Sequence, residues 1–227
     1  MPLPPVQVLD SFKRPPENPL NNGGKWAESS AFFEATDRGK IAEEKFVGIS
    51  PTSISTAYWT PQEFTENVVT ASIYGVESAL NGTVRLNCCM PNPTGEEKGY
   101  TLLLTNEGLS AGQCKFALNQ SGLAELERIT VSGMKEGDGV ALGVKSGKVS
   151  AWHKSGAETW TLLYEVANSV YTKGFVGLEC FKSTNGAWTN FSVTKELETF
   201  SASLPFIGKM TPREEGGKSN ILGMILS

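Results

Sequence analysis

The residues able to do chemistry are few and scattered. Aspartate occurs only as Asp10, Asp37 and Asp138, and histidine only as His153. A general base needs a group that orients it, and the residues around His153 supply no obvious partner. Alternation places the ring with Val149 and Ala151, toward a core or its rim. A Ser-His-Asp constellation is defined by geometry rather than by chain order, but no nucleophile motif accompanies this histidine. A hard-cation site draws several oxygen ligands together. Three dispersed aspartates without an Asp-x-Asp pattern predict none, so neither a metal nor a cofactor is expected. Cys88 and Cys89 are neighbours in a strand-like run, which sends their side chains to opposite faces. With Cys114 and Cys180 they read as buried free thiols. The aromatic residues remain. Trp152 falls on the face opposite Val149 and Ala151, while Trp160 and Tyr164 share a face of the next strand. These three are expected to form one exposed or interfacial patch, able to stack on a sugar ring or to receive a partner chain.

Positioning such a patch falls to β-strands. Val140, Leu142 and Val144 alternate with Ala141, Gly143 and Lys145, the period of a strand. Ser146-Gly147 supplies a tight turn, and Val149, Ala151 and His153 alternate on the return. Thr159–Val166, Gly174–Phe181 and Trp188–Val193 continue what reads as an antiparallel meander. Earlier strands are expected at Val6–Phe12, Ala31–Ala35, Lys45–Ile49, Thr56–Trp59, Val68–Tyr74, Thr83–Cys89, Tyr100–Thr105 and Lys115–Asn119, and Glu125–Val131 reads as a strand or a bent connector. Ile41–Phe46 has an alternative as one helical turn. So many half-buried strands require a second sheet to cover their apolar faces.

Composition narrows the function class. A net charge of −4 with no Lys/Arg cluster opposes nucleic-acid binding, which needs a basic stripe. No apolar run is long enough to cross a bilayer as a helix, and no secretory leader pattern is read at the N-terminus. From Glu196 the alternation stops. Thr211–Ser219 is polar and Gly-rich, and Ile221, Leu222, Met224, Ile225 and Leu226 close the chain with an apolar cluster. The chain is therefore expected to comprise a β domain over 1–195 and an assembly arm over 196–227.

The opening run Leu9-Asp-Ser-Phe-Lys-Arg-Pro-Pro-Glu-Asn-Pro-Leu-Asn-Asn-Gly-Gly-Lys-Trp resembles that of concanavalin A-like lectin/glucanase (laminin-G-like) jelly rolls found in bacteriophage structural proteins. Gly99-Tyr100, Asp138–Lys154, Tyr171-Thr-Lys-Gly-Phe-Val-Gly-Leu and Asn190-Phe-Ser-Val extend the resemblance over residues 6 to 194. It implies an all-β, two-sheet antiparallel jelly-roll sandwich with its first and last strands side by side, so that Asp10 and Phe12 lie near Phe191. Glucanases of this fold carry Glu-x-Asp-x-x-Glu on one strand, which places acid and nucleophile on one face; that spacing does not occur here.

Because this fold hosts many functions, three readings follow. The first is a non-enzymatic bacteriophage virion protein, on tail or capsid surface, joined to other virion proteins and to copies of itself through the C-terminal arm. The second is a carbohydrate-binding module that contacts a host-surface glycan. The third, a glycoside hydrolase, is opposed by the missing carboxylates.

Overall fold

The computed structural model describes residues 3, 6–28, 36–49, 52, 54–65, 69–74, 83–92, 94, 98–105, 109, 113–121, 124–181 and 187–194. The chain divides into one unit over Met1–Lys195 and another over Glu196–Ser227. The second unit, with the arm residues Ile221, Leu222, Met224, Ile225 and Leu226, lies outside the described residues, as does the expected strand at 31–35.

Every element among the described residues is a strand. The first are β1 (Val6–Asp10), β2 (Trp26–Ala27), β3 (Thr36–Asp37), β4 (Lys40–Ala42), β5 (Lys45–Val47), β6 (Ile54–Trp59), β7 (Phe64–Thr65) and β8 (Val69–Tyr74). Then come β9 (Thr83–Met90), β10 (Tyr100–Thr105), β11 (Gln113–Gln120), β12 (Ala124–Ser132) and β13 (Gly139–Lys145). The last are β14 (Lys148–Lys154), β15 (Thr161–Ala167), β16 (Lys173–Phe181) and β17 (Ala187–Thr194). They form two sheets. An eight-stranded one runs β15-β14-β13-β8-β17-β5-β4 with β1 beside β17. A nine-stranded one runs β12-β11-β10-β9-β16-β6-β2, with β3 on β6 and β7 on β16. All pairings are antiparallel except the short β3–β6 contact.

The sandwich core is visible in one registered row. Leu118, Leu102, Leu86, Leu178 and Ala57 lie opposite one another across β11, β10, β9, β16 and β6. All are buried in one cluster with Val140, Leu142, Val144, Val149 and Ala151 of the other sheet. Directly opposed residues share a face, so this row fixes which positions of the nine-stranded sheet look inward.

The expected meander is interrupted. β13, β14 and β15 are successive hairpins, the first closed by Ser146 and Gly147 at φ 52° and 73°, the two positive values a two-residue hairpin requires. β16 then crosses to the other sheet, and β17 returns to lie between β8 and β5. Alternation identifies a strand but not its sheet, because either inner face buries it equally well. The alternative helical turn at Ile41–Phe46 is a hairpin instead, β4 to β5, turning at Glu43 and Glu44 with φ 50° and 59°.

The opening motif acts as a polar staple. β1 pairs with β17, Asp10 opposite Phe191, as the resemblance implied. Asp10, 5% exposed, accepts hydrogen bonds from the Phe12 amide at 2.8 Å, Arg14 Nη1 at 2.6 Å, Asn22 Nδ2 at 3.0 Å and Trp26 Nε1 at 2.8 Å. Arg14 also donates to Glu17, whose other oxygen accepts from the Asn22 amide. A buried carboxylate is tolerable when its lone pairs are filled this way. Phe12 is thereby set against Trp26 and Phe46.

Two flanks differ. β12 ends the nine-stranded sheet, pairs among the described residues with β11 alone, and is exposed along most of its length. Its Leu126 bulges out of the ladder, leaving Glu127 opposite Leu118 and Glu125 opposite Asn119.

Candidate functional site

The outward face of the nine-stranded sheet carries the polar counterpart of the leucine row. One registered row runs Asn119, Thr101, Asn87, Gly177, Tyr58, and the next runs Ala117, Leu103, Arg85, Glu179, Thr56. Thr101 Oγ1 donates to Asn87 Oδ1 at 2.9 Å. Arg85 Nη1 lies 2.8 Å from Glu179 Oε1. Glu179 is fully buried and neither of its oxygens has an aligned hydrogen-bond partner among the described residues. Burial pushes this carboxyl up from its ordinary value, while Arg85 and Asn87 pull it down. The part-exposed members of the rows are Arg85, Leu103 and Tyr58.

An apolar platform adjoins these rows. Tyr58 and Phe175 meet edge to face at 5.6 Å and pack on buried Met90. A β-bulge builds it. Phe175 opposes Met90 and Gly177 opposes Asn87, so β9 holds one residue more than β16 across this stretch. The surplus sits at Cys89, whose φ is 55°. It turns Cys88 and Cys89 both into the core and brings Met90 to the outward face, the re-aiming for which bulges are known. The Met90 methyl fills the space over Gly177, where an added Cβ would come within 3.1 Å of it. The neighbouring strands give way at Gly99 and Gly174, at φ 116° and 145°, where a Cβ would approach the carbonyls of Cys88 and Cys89 to 3.0 Å and that of Met90 to 2.6 Å. The expectation that the two thiols face apart is therefore corrected: their sulfurs are 3.7 Å apart. All four cysteines are buried thiols rather than disulfides.

The aromatic residues singled out from the sequence do not form one patch. Trp152 does face away from Val149 and Ala151, but it is 1% exposed, packed in a small separate cluster with Ala141, Leu3, Val6, Trp160 and Leu162. The N-terminal segment covers it. Trp160 lies half-buried in the same cluster, flat enough against Gly139 that a Cβ there would meet its ring at 2.7 Å, with Lys154 Nζ 5.4 Å from the ring centre. Tyr164 belongs to the main core instead. β15 has a bulge, with Ala151 opposite Tyr164 but Trp152 opposite Leu162, and the extra residue, Leu163, puts Trp160 and Tyr164 on opposite faces. The buried Tyr164 hydroxyl has no hydrogen-bond partner among the described residues, and burial, then Glu127 and Glu125, push its pKa up.

His153 does have an orienting partner. Its Nε2 lies 3.1 Å from Oδ2 of fully buried Asp138, which also accepts from the Lys135 and Gly156 amides. The pair ties the β12–β13 and β14–β15 connections together, and its ring packs on Phe116. Glu136, two residues before Asp138, turns out to Lys45 at 2.6 Å, so these two carboxylates do not share a site.

No family model matches the chain, and no curated protein sequence does. Solved structures do resemble it in three dimensions. The exoplasmic/lumenal domain of VIP36 in its Ca2+/Man2-bound form superposes with a TM-score of 0.57 at 9% identity, covering 85% of this chain and 88% of that one. The CBM2 module of the evolved Dit of Lactobacillus casei BL23 phage J-1 gives 0.56 at 10%, covering 83% and 94%. The carbohydrate recognition domain of Emp47p gives 0.52 at 7%, covering 83% and 94%. The fold is that of the concanavalin A-like lectins. In this lectin-type sandwich the outward polar rows lay beyond sequence reasoning, although their signal was present. Arg85 and Asn87 interrupt Val84, Leu86 and Cys88 at alternate positions, and Glu179 stands between Leu178 and Cys180. What the sequence did not show was that these interruptions line up across neighbouring strands.

Proposed function

We propose that the protein is a non-catalytic, carbohydrate-binding module that contacts its glycan through the outward face of the nine-stranded sheet. The observation that carries this reading is the union of registered polar rows with the Tyr58–Phe175–Met90 platform. A sugar has an apolar ring face and a rim of hydroxyls, and a site with one aromatic wall and a few placed polar groups matches both. The likeness to carbohydrate-recognising domains supports it by analogy of fold. Glycoside hydrolysis needs two carboxyl groups about the scissile bond, and Glu179 is the single carboxylate in the two rows. An array of bacterial surface polysaccharides probed with the purified protein tests the reading. Binding lost in Tyr58→Ala supports it; no binding to any polysaccharide refutes it.

The module's setting, in this reading, is a bacteriophage virion, on tail or capsid surface, where it contributes to assembly and host-surface contact. The phage-like opening motif and the likeness to the phage J-1 Dit module support this. The arm residues Ile221, Leu222, Met224, Ile225 and Leu226 serve as the attachment to other virion proteins or to further copies. Peptides of this chain in purified particles support the assignment, and particles without it overturn it.

A further inference from the structure

The geometry points to Glu179 as the residue that selects the ligand, and to an uncharged sugar presenting two neighbouring hydroxyls as the ligand class; this deepens, and rests on, the glycan-binding reading above. Glu179 is 0% exposed, at the centre of the outward face, and both its oxygens lack an aligned hydrogen bond. Arg85 Nη1 at 2.8 Å and the nearby Asn87 side chain offset its charge, without a well-aligned hydrogen bond at either oxygen among the described residues. A buried carboxylate left so is costly, and hydroxyl donors relieve that cost. Two oxygens side by side on one carboxylate match two hydroxyls on adjacent carbons of a sugar ring, each O–H donating to one oxygen. An acidic sugar is excluded, because its carboxylate would face that of Glu179 while the nearest cation is already engaged.

The rest of the site fits a ligand held in this way. Tyr58 and Phe175 offer the apolar wall beside Gly177, on the same strand and face as Glu179. Arg85, directly opposite Glu179, is part-exposed, as are Leu103 and Tyr58 on the same face, so the ligand reaches the buried carboxylate by displacing these side chains. Met90, the flexible residue in this platform, is the side chain best able to shift as a ring arrives.

The test is titration calorimetry of the full chain with methyl mannoside, glucoside, galactoside and rhamnoside, the singly deoxygenated analogues of each, and methyl glucuronide. The best neutral sugar is expected to lose roughly tenfold or more in affinity when either of one adjacent hydroxyl pair is removed. Glu179→Gln is expected to weaken the parent sugar by a similar factor and to erase its preference over those deoxy analogues, and the glucuronide is expected not to bind. Should Glu179→Gln fold poorly, the joint replacement Arg85→Met with Glu179→Met, which removes both charges together, serves in its place with the same expectation. If the native protein binds these sugars and the variant keeps both affinity and hydroxyl preference within about twofold, Glu179 is not the selector, although glycan binding stands. Tighter binding of the glucuronide than of its neutral parent overturns the ligand class. Failure of the native protein to bind any sugar in the panel, or any polysaccharide on the array, removes the parent reading and this one together.

Discussion

Asp10 and Glu179 are both buried carboxylates, and they differ in how their lone pairs are filled. Asp10 has four donors, one of them an arginine, so its removal strands Arg14, Asn22 and Trp26 at once. Asp10→Ala is expected to cost about 3 kcal/mol or more, the range for breaking a buried ion pair, read from urea unfolding. A loss under about 1 kcal/mol would mean that water replaces the carboxylate. Glu179 titrates the other way from a usual paired carboxylate, because burial raises its value. The folded protein then holds that proton more tightly than the unfolded chain, so the contribution is fullest in acid and declines as pH rises through the raised value. The stability of the native protein relative to Glu179→Gln is therefore expected to fall as pH rises above the usual carboxylate range. A relative stability that climbs instead would show that the attraction of Arg85 outweighs burial. The thiols give a third test. Burial raises Cys88, Cys180 and Cys114, the last to about 12. A thiol-reactive disulfide reagent near pH 8 should find none of the four until denaturant is added, and a rapid native reaction would contradict the packing around the Cys88–Cys89 bulge.

Bulges, more than strands, decide what the elements present. The Leu86 and Leu102 alternation made β9 and β10 legible from their residues, and the Ser146-Gly147 turn fixed the β13–β14 register. The opening motif placed Asp10 beside Phe191 through resemblance. The extra residues at Cys89 and Leu163 were not legible, since each is a backbone choice imposed by neighbouring strands: Gly99 and Gly174 make room for the first from far along the chain. Miscounting by one at Leu163 is what joined Trp160 and Tyr164 into a false patch. Covering by a distant segment was equally hidden, because nothing near Trp152 announces Leu3 and Val6. Trp152→Ala is accordingly expected to behave as a core truncation and cost about 3–5 kcal/mol. A cost below about 1 kcal/mol, with binding lost, would return Trp152 to the ligand surface. Gly174→Ala belongs to the same scale. Its φ of 145° and the 2.6 Å approach to the Met90 carbonyl should destabilise the protein by more than about 1 kcal/mol. Such a change should also disturb glycan binding, since Met90 is set by that bulge.

At the scale of the whole molecule, the Met1–Lys195 unit contains both sheets and the main core, so it is expected to fold without the rest. Deleting residues 208–227 should leave the urea transition cooperative while abolishing incorporation into particles; a truncated chain that unfolds, or that still joins particles, ends the arm proposal. The construction of β12 bears on the same question of association. A long terminal strand with free amides and carbonyls invites another chain to continue its ladder. Here the bulge at Leu126 breaks the straight run, and Glu127, opposite inward-facing Leu118, would bring a charge into any seam formed there. Glu127→Val should remove that guard and make the purified protein scatter light on concentration. Copies held at high local density, as the proposed virion setting would hold them, are thus kept from zipping edge to edge, and each sandwich stays a separate body.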